Sequence, residues 1–125
     1  MSVCLIPVSI GELFDKYTIL EIKLENIQDI EKKRMVKVEI DYLQKYVEQY
    51  NLEDSLIQKM KSINKKLWDI EDQIRCKEKN KEFDEEFIQL ARLVYITNDE
   101  RSRVKNEINS ILKSDIMDIK SYAKY

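Results

Sequence analysis

Histidine is missing from all 125 residues. That removes the side chain most often used as a general base and as a neutral metal ligand. Glycine and proline occur once each, as Gly11 and Pro7, so every later turn is made without either. Two cysteines, Cys4 and Cys76, do not make a disulfide framework. No C-x-x-C pair is present, and a zinc site would have to use thiolate and carboxylate alone. The expectation is therefore no metal and no cofactor. No apolar run approaches the ~20 residues of a membrane span. Met1 to Ile6 is apolar but has no basic flank and no long apolar stretch after it, so it does not read as a signal peptide. A cytoplasmic protein without membrane association is expected. The net charge is −2, which supplies no global basic field for nucleic acid.

Apolar residues make up 43% and charged residues 37% of the chain. That balance suits a folded helical protein rather than a disordered one. Both scarce residues sit in "PVSIGEL", residues 7 to 13. Ser9 and Glu12 have the spacing of a capping box, in which each side chain bonds the other residue's backbone N–H. Val8 and Leu13 occupy the two ends of a hydrophobic staple. Gly11 lowers helix propensity in the first turn by roughly 1 kcal/mol. Its use there would be to let another backbone or a ligand come close.

Apolar positions then step by four and three. Leu13, Tyr17, Leu20, Leu24 and Ile27 mark an amphipathic helix, about residues 10 to 32, with Ile10, Phe14 and Ile30 widening the stripe. Val36, Ile40, Leu43, Val47 and Tyr50 repeat the spacing. Leu56, Met60, Ile63, Leu67, Ile70 and Ile74 do so again, and Phe87, Leu90, Val94, Val104, Ile108 and Ile111 make a fourth series. Turns are expected at Asn51 to Asp54, with Asp54 as N-cap, and at Lys77 to Glu82, while the charge run Glu31 to Arg34 is either a turn or simply helix. Asp84 begins the next helix. Ser114 to Tyr125 is a tail with a weak helical pattern. The fold class is all-α: an antiparallel helical bundle of four helices in a single domain, residues 1–125, with an extended N-terminal strap. The alternative joins the first two helices and leaves three long helices, coiled-coil-like.

Three blocks carry a resemblance: "PVSIGELFDKYTILEIKLENI", "LWDIEDQIR" and "LARLVYITNDERSRVKNEIN". With these the chain resembles an uncharacterised bacterial family of small all-helical proteins, known only as a domain of unknown function. The resemblance implies a small helical protein and supplies no functional residue.

Two groups of side chains could carry chemistry. Arg75, Arg92, Asn98, Arg101 and Lys105 supply the cations and the donor of an anion site. Arg101 and Lys105 lie four apart on one face, and Arg101 interrupts an apolar seam, where a charge requires a partner. Rung counting along an up-down-up-down bundle places Arg101 near Glu25 or Glu21, with Lys105 close to the same acids. The second group is Trp68 and Glu71, on one helix face with Asn64 and Arg75. Tryptophan is a frequent anchor at protein interfaces. The acidic runs "EIKLE", "DIED" and "DEEF" suggest magnesium, as in all-helical nucleotide pyrophosphatases. Asp69, Glu71 and Asp72 point in several directions, however, and no metal site is expected. The favoured reading is a non-catalytic helical interaction module or small homo-oligomeric protein that self-associates or binds an unknown protein partner. The alternative is a small helical enzyme or binder of an anionic metabolite that uses the Arg/Lys cluster.

Overall fold

The structure, a computed structural model, describes residues 2–125. It contains four helices: α1 (Ile10–Asn26), α2 (Ile30–Val47), α3 (Asp54–Lys79) and α4 (Glu85–Ile111). No strand occurs among the described residues. The first two stripes are separate helices, which decides against the three-helix alternative.

The break between them falls earlier than the charge run. Ile27 leaves α1 in an extended conformation. Asp29 then caps α2, its carboxylate accepting from the Lys32 N–H at 3.0 Å. A carboxylate at the N-cap satisfies a donor that a charge run cannot, so Glu31 to Arg34 is the first turn of α2 rather than a turn between helices. Asp54 likewise lies inside the first turn of α3, and Glu53 precedes it without a side-chain capping bond. Asp84 is the N-cap of α4, accepting from the Phe87 N–H at 3.0 Å.

The two later helix ends are closed without glycine. Lys81 and Lys113 hold the left-handed φ values of 55° and 58°. Each is followed by a bond from the next N–H to a carbonyl five residues back, Glu82 to Lys77 at 2.9 Å and Ser114 to Asn109 at 2.8 Å. These are Schellman closures with lysine in the place glycine usually takes, at a cost of roughly 1–2 kcal/mol each. The Lys77 ammonium adds ionic contacts to Glu82, Asp84 and Glu86 at 3.0–3.2 Å across the α3–α4 turn.

Helix α1 is central: it packs against α2, α3 and α4, and α3 packs against α4. Helix α2 packs against α1 alone. Phe14, Leu52, Leu56, Met60, Val104 and Ile108 form the main apolar cluster. Gly11 sets the distance between α1 and α4. Its N–H donates to Asn109 Oδ1 at 2.6 Å, and a Cβ at Gly11 would lie 2.3 Å from the Lys105 carbonyl oxygen. The close approach that the glycine permits is thus that of another backbone. Ser9 accepts from the Glu12 N–H at 3.0 Å, so half of the capping box forms. The Glu12 carboxylate turns to Lys105 instead. Val8 is exposed while Leu13 is buried, so the expected staple does not close over both ends.

The strap, residues 2–8, is irregular and exposed. The C-terminal tail is not helical after Leu112. It runs back along α4, with Asp118 against Ser102 and Asn106 and the Tyr125 hydroxyl donating to Asp99 at 2.6 Å. Among the described residues, no helix is long and apolar enough to cross a membrane.

Candidate functional site

A polar cluster lies where α1, α3, α4 and the tail meet. On α1, Gly11, Asp15, Thr18 and Ile22 fall at steps of four, three and four, and all are buried. On α4, Ser102, Lys105 and Asn109 share a buried face, and Thr97, five residues before Ser102, is also buried. The Lys105 ammonium lies 2.5 Å from Glu12, 3.8 Å from Asp15 and 3.7 Å from Asp118. Arg101 Nε is 3.7 Å from Asp15. From α3, Asn64 donates to Asp15 Oδ1 at 2.9 Å and to Thr18 Oγ1 at 3.0 Å. The Thr18 hydroxyl donates to the Asp15 carbonyl at 2.9 Å.

Burial dominates at Asp15 and pushes its carboxyl above the ordinary range, although Arg101, Asn64 and Lys105 pull the other way. Burial also pushes Asp118 upward, but there the Ser102 hydroxyl, 2.6 Å away, and Lys105 prevail, and its carboxyl lies below the ordinary range. Two cations thus meet three carboxylates. Lys105 makes its ionic contacts to carboxylates of its own chain, while Asn64 Oδ1 and Thr97 Oγ1 are buried without a hydrogen-bond partner.

The expected partners of Arg101 are corrected by this arrangement. Glu25 bonds Lys61 at 2.6 Å, and Asp15 takes the place assigned to Glu25 or Glu21. Helix α1 ends at Asn26, not near residue 32, so fewer rungs separate the turn from the residues of α1 that face α4. The contact of Gly11 with Asn109, where the expected register sets Thr18 against Asn109, then fixes a register about two turns away from the expected one.

Beside the cluster is a cleft of ≈ 310 Å³ lined by Ile19, Ile22, Asn64, Leu67, Trp68, Glu71, Asp72, Arg75 and Arg101. Trp68, Glu71, Arg75 and Arg101 are therefore brought together. Arg75 is paired with Glu71 one turn before it on α3. Lys105 sits in the neighbouring cluster. Arg92 is elsewhere, on the exposed side of α4, donating to Gln89 at 2.9 Å. Asn98 is half-buried on α4 and does not line the cleft. The five-residue anion site thus does not assemble as one unit. The cleft carries Arg75 and Arg101 against Glu71 and Asp72, a lining with no net charge.

A larger groove of ≈ 860 Å³ runs between the strap and α2. Val3, Leu5, Ile6 and Val8 border one side, and Met35, Val38 and Tyr42 the other. All seven are exposed. Met35, Val38 and Tyr42 are spaced by three and four, a second stripe beside the one that faces α1. That spacing was the available signal for this face, and so was Asp15 on the Gly11–Thr18 face for the polar cluster. Both were hidden by richer neighbouring stripes. No group of three or more His, Cys, Asp or Glu side chains among the described residues could hold a metal ion.

The family model described as a family of unknown function (DUF6165) matches residues 4–125, and the chain belongs to that family. No curated protein matches the chain, and no solved structure matches it.

Proposed function

We propose, from membership in a family that carries no described activity, that this chain is a non-catalytic helical interaction module and that the α2–strap face is its contact surface. One observation carries the reading: α2 packs on α1 alone, and its outer side joins the strap in a wide apolar groove. Large apolar patches on small proteins mark interaction sites. The buried charges, by contrast, satisfy one another and present no assembled reactive group. Cys4 and Cys76 are exposed free thiols, which fits a reducing, cytoplasmic setting.

Cross-linking in cells through lysine amines, read by mass spectrometry, tests the reading. Lys16 and Lys45 line the groove, whereas Lys59 and Lys66 pair with acids of α4 on the other side of the molecule. Cross-links to another polypeptide are expected to concentrate at Lys16 and Lys45 and to disappear in Val38→Glu. An even distribution, or one centred on Lys59 and Lys66, overturns the reading.

A second reading, a binder of an anionic metabolite, is favoured by the meeting of Trp68, Arg75 and Arg101 around one cleft. It carries less weight because Glu71 already pairs with Arg75 and Asp72 adds negative charge. A thermal-shift screen with anionic metabolites distinguishes the two. The interaction reading expects no shift. A rise in melting temperature that Arg101→Leu abolishes would favour the binder.

A further inference from the structure

We infer that the occupant of the α2 face is a second copy of this chain, with α2 packed antiparallel against the other copy's α2 about a two-fold axis. The inference rests on the reading of that face as an interface. Helix α2 carries two stripes. Val36, Ile40, Leu43 and Val47 are buried or half-buried on the side toward α1. Met35, Val38 and Tyr42 form the outer stripe, with exposures of 67%, 50% and 51%. Steps of three and four are the seam spacing of paired helices. Such a seam is complete only when another seam lies against it.

The charges beside the seam select which one. Arg34 and Asp41 flank it on one side, seven residues apart. Lys32 and Glu39 flank it on the other side, also seven apart. Each flank therefore carries a cation toward the start of α2 and an anion toward its end. In an antiparallel pair whose axis passes between Met35 and Val38, Met35 meets the second copy's Val38. Arg34 then comes beside the second copy's Asp41, and Lys32 beside its Glu39. Symmetry repeats both contacts, so every flanking pair is of opposite sign. At the end of the seam Tyr42 meets the second copy's Glu31, a phenol donor against a carboxylate. A parallel pairing sets Arg34 beside Glu39 but gives Lys32 and Asp41 no opposite charge. Flanking charges of this kind choose partner and orientation.

The free chain leaves these groups available. Arg34 pairs with Glu31, Asp41 with Lys37 and Glu39 with Lys16, all at the surface. Exposed pairs exchange at little cost. The exposed apolar strap residues Val3, Leu5 and Ile6 lie across the groove from the seam and enlarge the surface that a second copy covers.

Sedimentation velocity over a concentration series tests this on the full chain, with circular dichroism to confirm that each variant is helical. The wild type is expected to dimerise. Arg34→Asp and Asp41→Arg are each expected to weaken the dimer by about fivefold to tenfold, because each replaces two attractions by two repulsions. The double variant Arg34→Asp/Asp41→Arg restores opposite signs and is expected to regain most of the loss. A double variant no tighter than either single change overturns the antiparallel register. A monomeric wild type overturns the second copy as occupant; if the cross-links at Lys16 and Lys45 persist, the interface reading survives it. A dimer indifferent to Val38→Glu uses another surface and overturns the inference, while the interface reading then stands or falls with the cross-links at Lys16 and Lys45.

Discussion

At the junction of α1, α3 and α4 the side chain of Lys105 is 8% exposed and that of Asp15 3%. On the outer side of α2, Met35 is 67% exposed. Charge is buried in one region and apolar surface is open in the other. Position explains the inversion. Helix α1 has a neighbour on three sides, so even its polar face is enclosed, and Asp15 must find partners there. Helix α2 has one neighbour, so only one of its two stripes is covered. Burial follows the number of packed neighbours, and residue type decides what that burial costs. The junction offsets its cost with ionic and hydrogen-bonded partners. The α2 face leaves an apolar surface whose stabilising term appears only when it is covered, at roughly 25 cal/mol per Å².

The comparison breaks most severely at Lys105. Lys105→Met leaves Glu12, Asp15 and Asp118 together with Arg101 as the one remaining cation of the cluster, and an unfolding free energy lower by about 4 kcal/mol is expected. Urea denaturation measures it. The Lys105→Met/Asp15→Leu pair should regain part of the loss, and failure to do so would show that the two are not coupled. Gly11→Ala comes next. Its Cβ would meet the Lys105 carbonyl oxygen, a backbone atom that cannot rotate away, so α1 must move from α4. A loss of about 3 kcal/mol is expected in the same assay. Ser9→Ala removes the N-cap of α1 and should cost about 1 kcal/mol; an unchanged urea midpoint would mean that the hydroxyl bond is not used.

The pH dependence of the junction is smaller and has two signs. Asp118 lies below its ordinary range, so its contribution is present above the unfolded carboxylate pKa and is lost as pH falls through the folded value. Asp118→Asn should therefore differ most from wild type near neutrality and converge with it in acid. Asp15 lies above its range. Its contribution is full below the unfolded pKa and is lost as pH rises through the folded value, so Asp15→Asn should diverge in the opposite sense. Thermal melts from acid to neutral pH measure both slopes. On the α2 face the effect on stability should be the smallest. Val38→Ser is expected to change the unfolding free energy by less than about 0.5 kcal/mol at concentrations where the chain is monomeric, while weakening the association. A larger loss would mean that Val38 is already covered within one chain.

Much of the helical content was legible because its causes are local. The stripe from Leu13 to Ile27 and the three that follow repeat with the period of a helix. Ser9 and Asp84 announce helix starts because a short polar side chain bonds the free N–H groups two to three residues on. The start of α2 is less legible, because Asp29 is a single carboxylate standing before the more conspicuous charges Glu31 to Arg34. The candidate site was legible only in pieces. Trp68, Glu71 and Arg75 are neighbours on one helix and were grouped. Arg101 joins them across the bundle. Arg92 and Asn98 looked equivalent to Arg101 in composition but lie on other faces of α4.

The sequence by itself determined that this chain is helical, where most of its helices begin, and that Gly11 admits something close to the start of α1. These follow from hydrogen bonds and side-chain spacings that span a few residues. Tertiary structure alone decided that the close neighbour is the backbone at Lys105, that Arg101 faces Asp15 rather than Glu25, that the tail brings Asp118 to Lys105, and that α2 keeps one stripe uncovered. Those outcomes depend on the register and neighbour count of whole helices. One contact, Gly11 against Asn109, fixes that register over a separation of 98 residues, a distance in sequence over which no local pattern carries information.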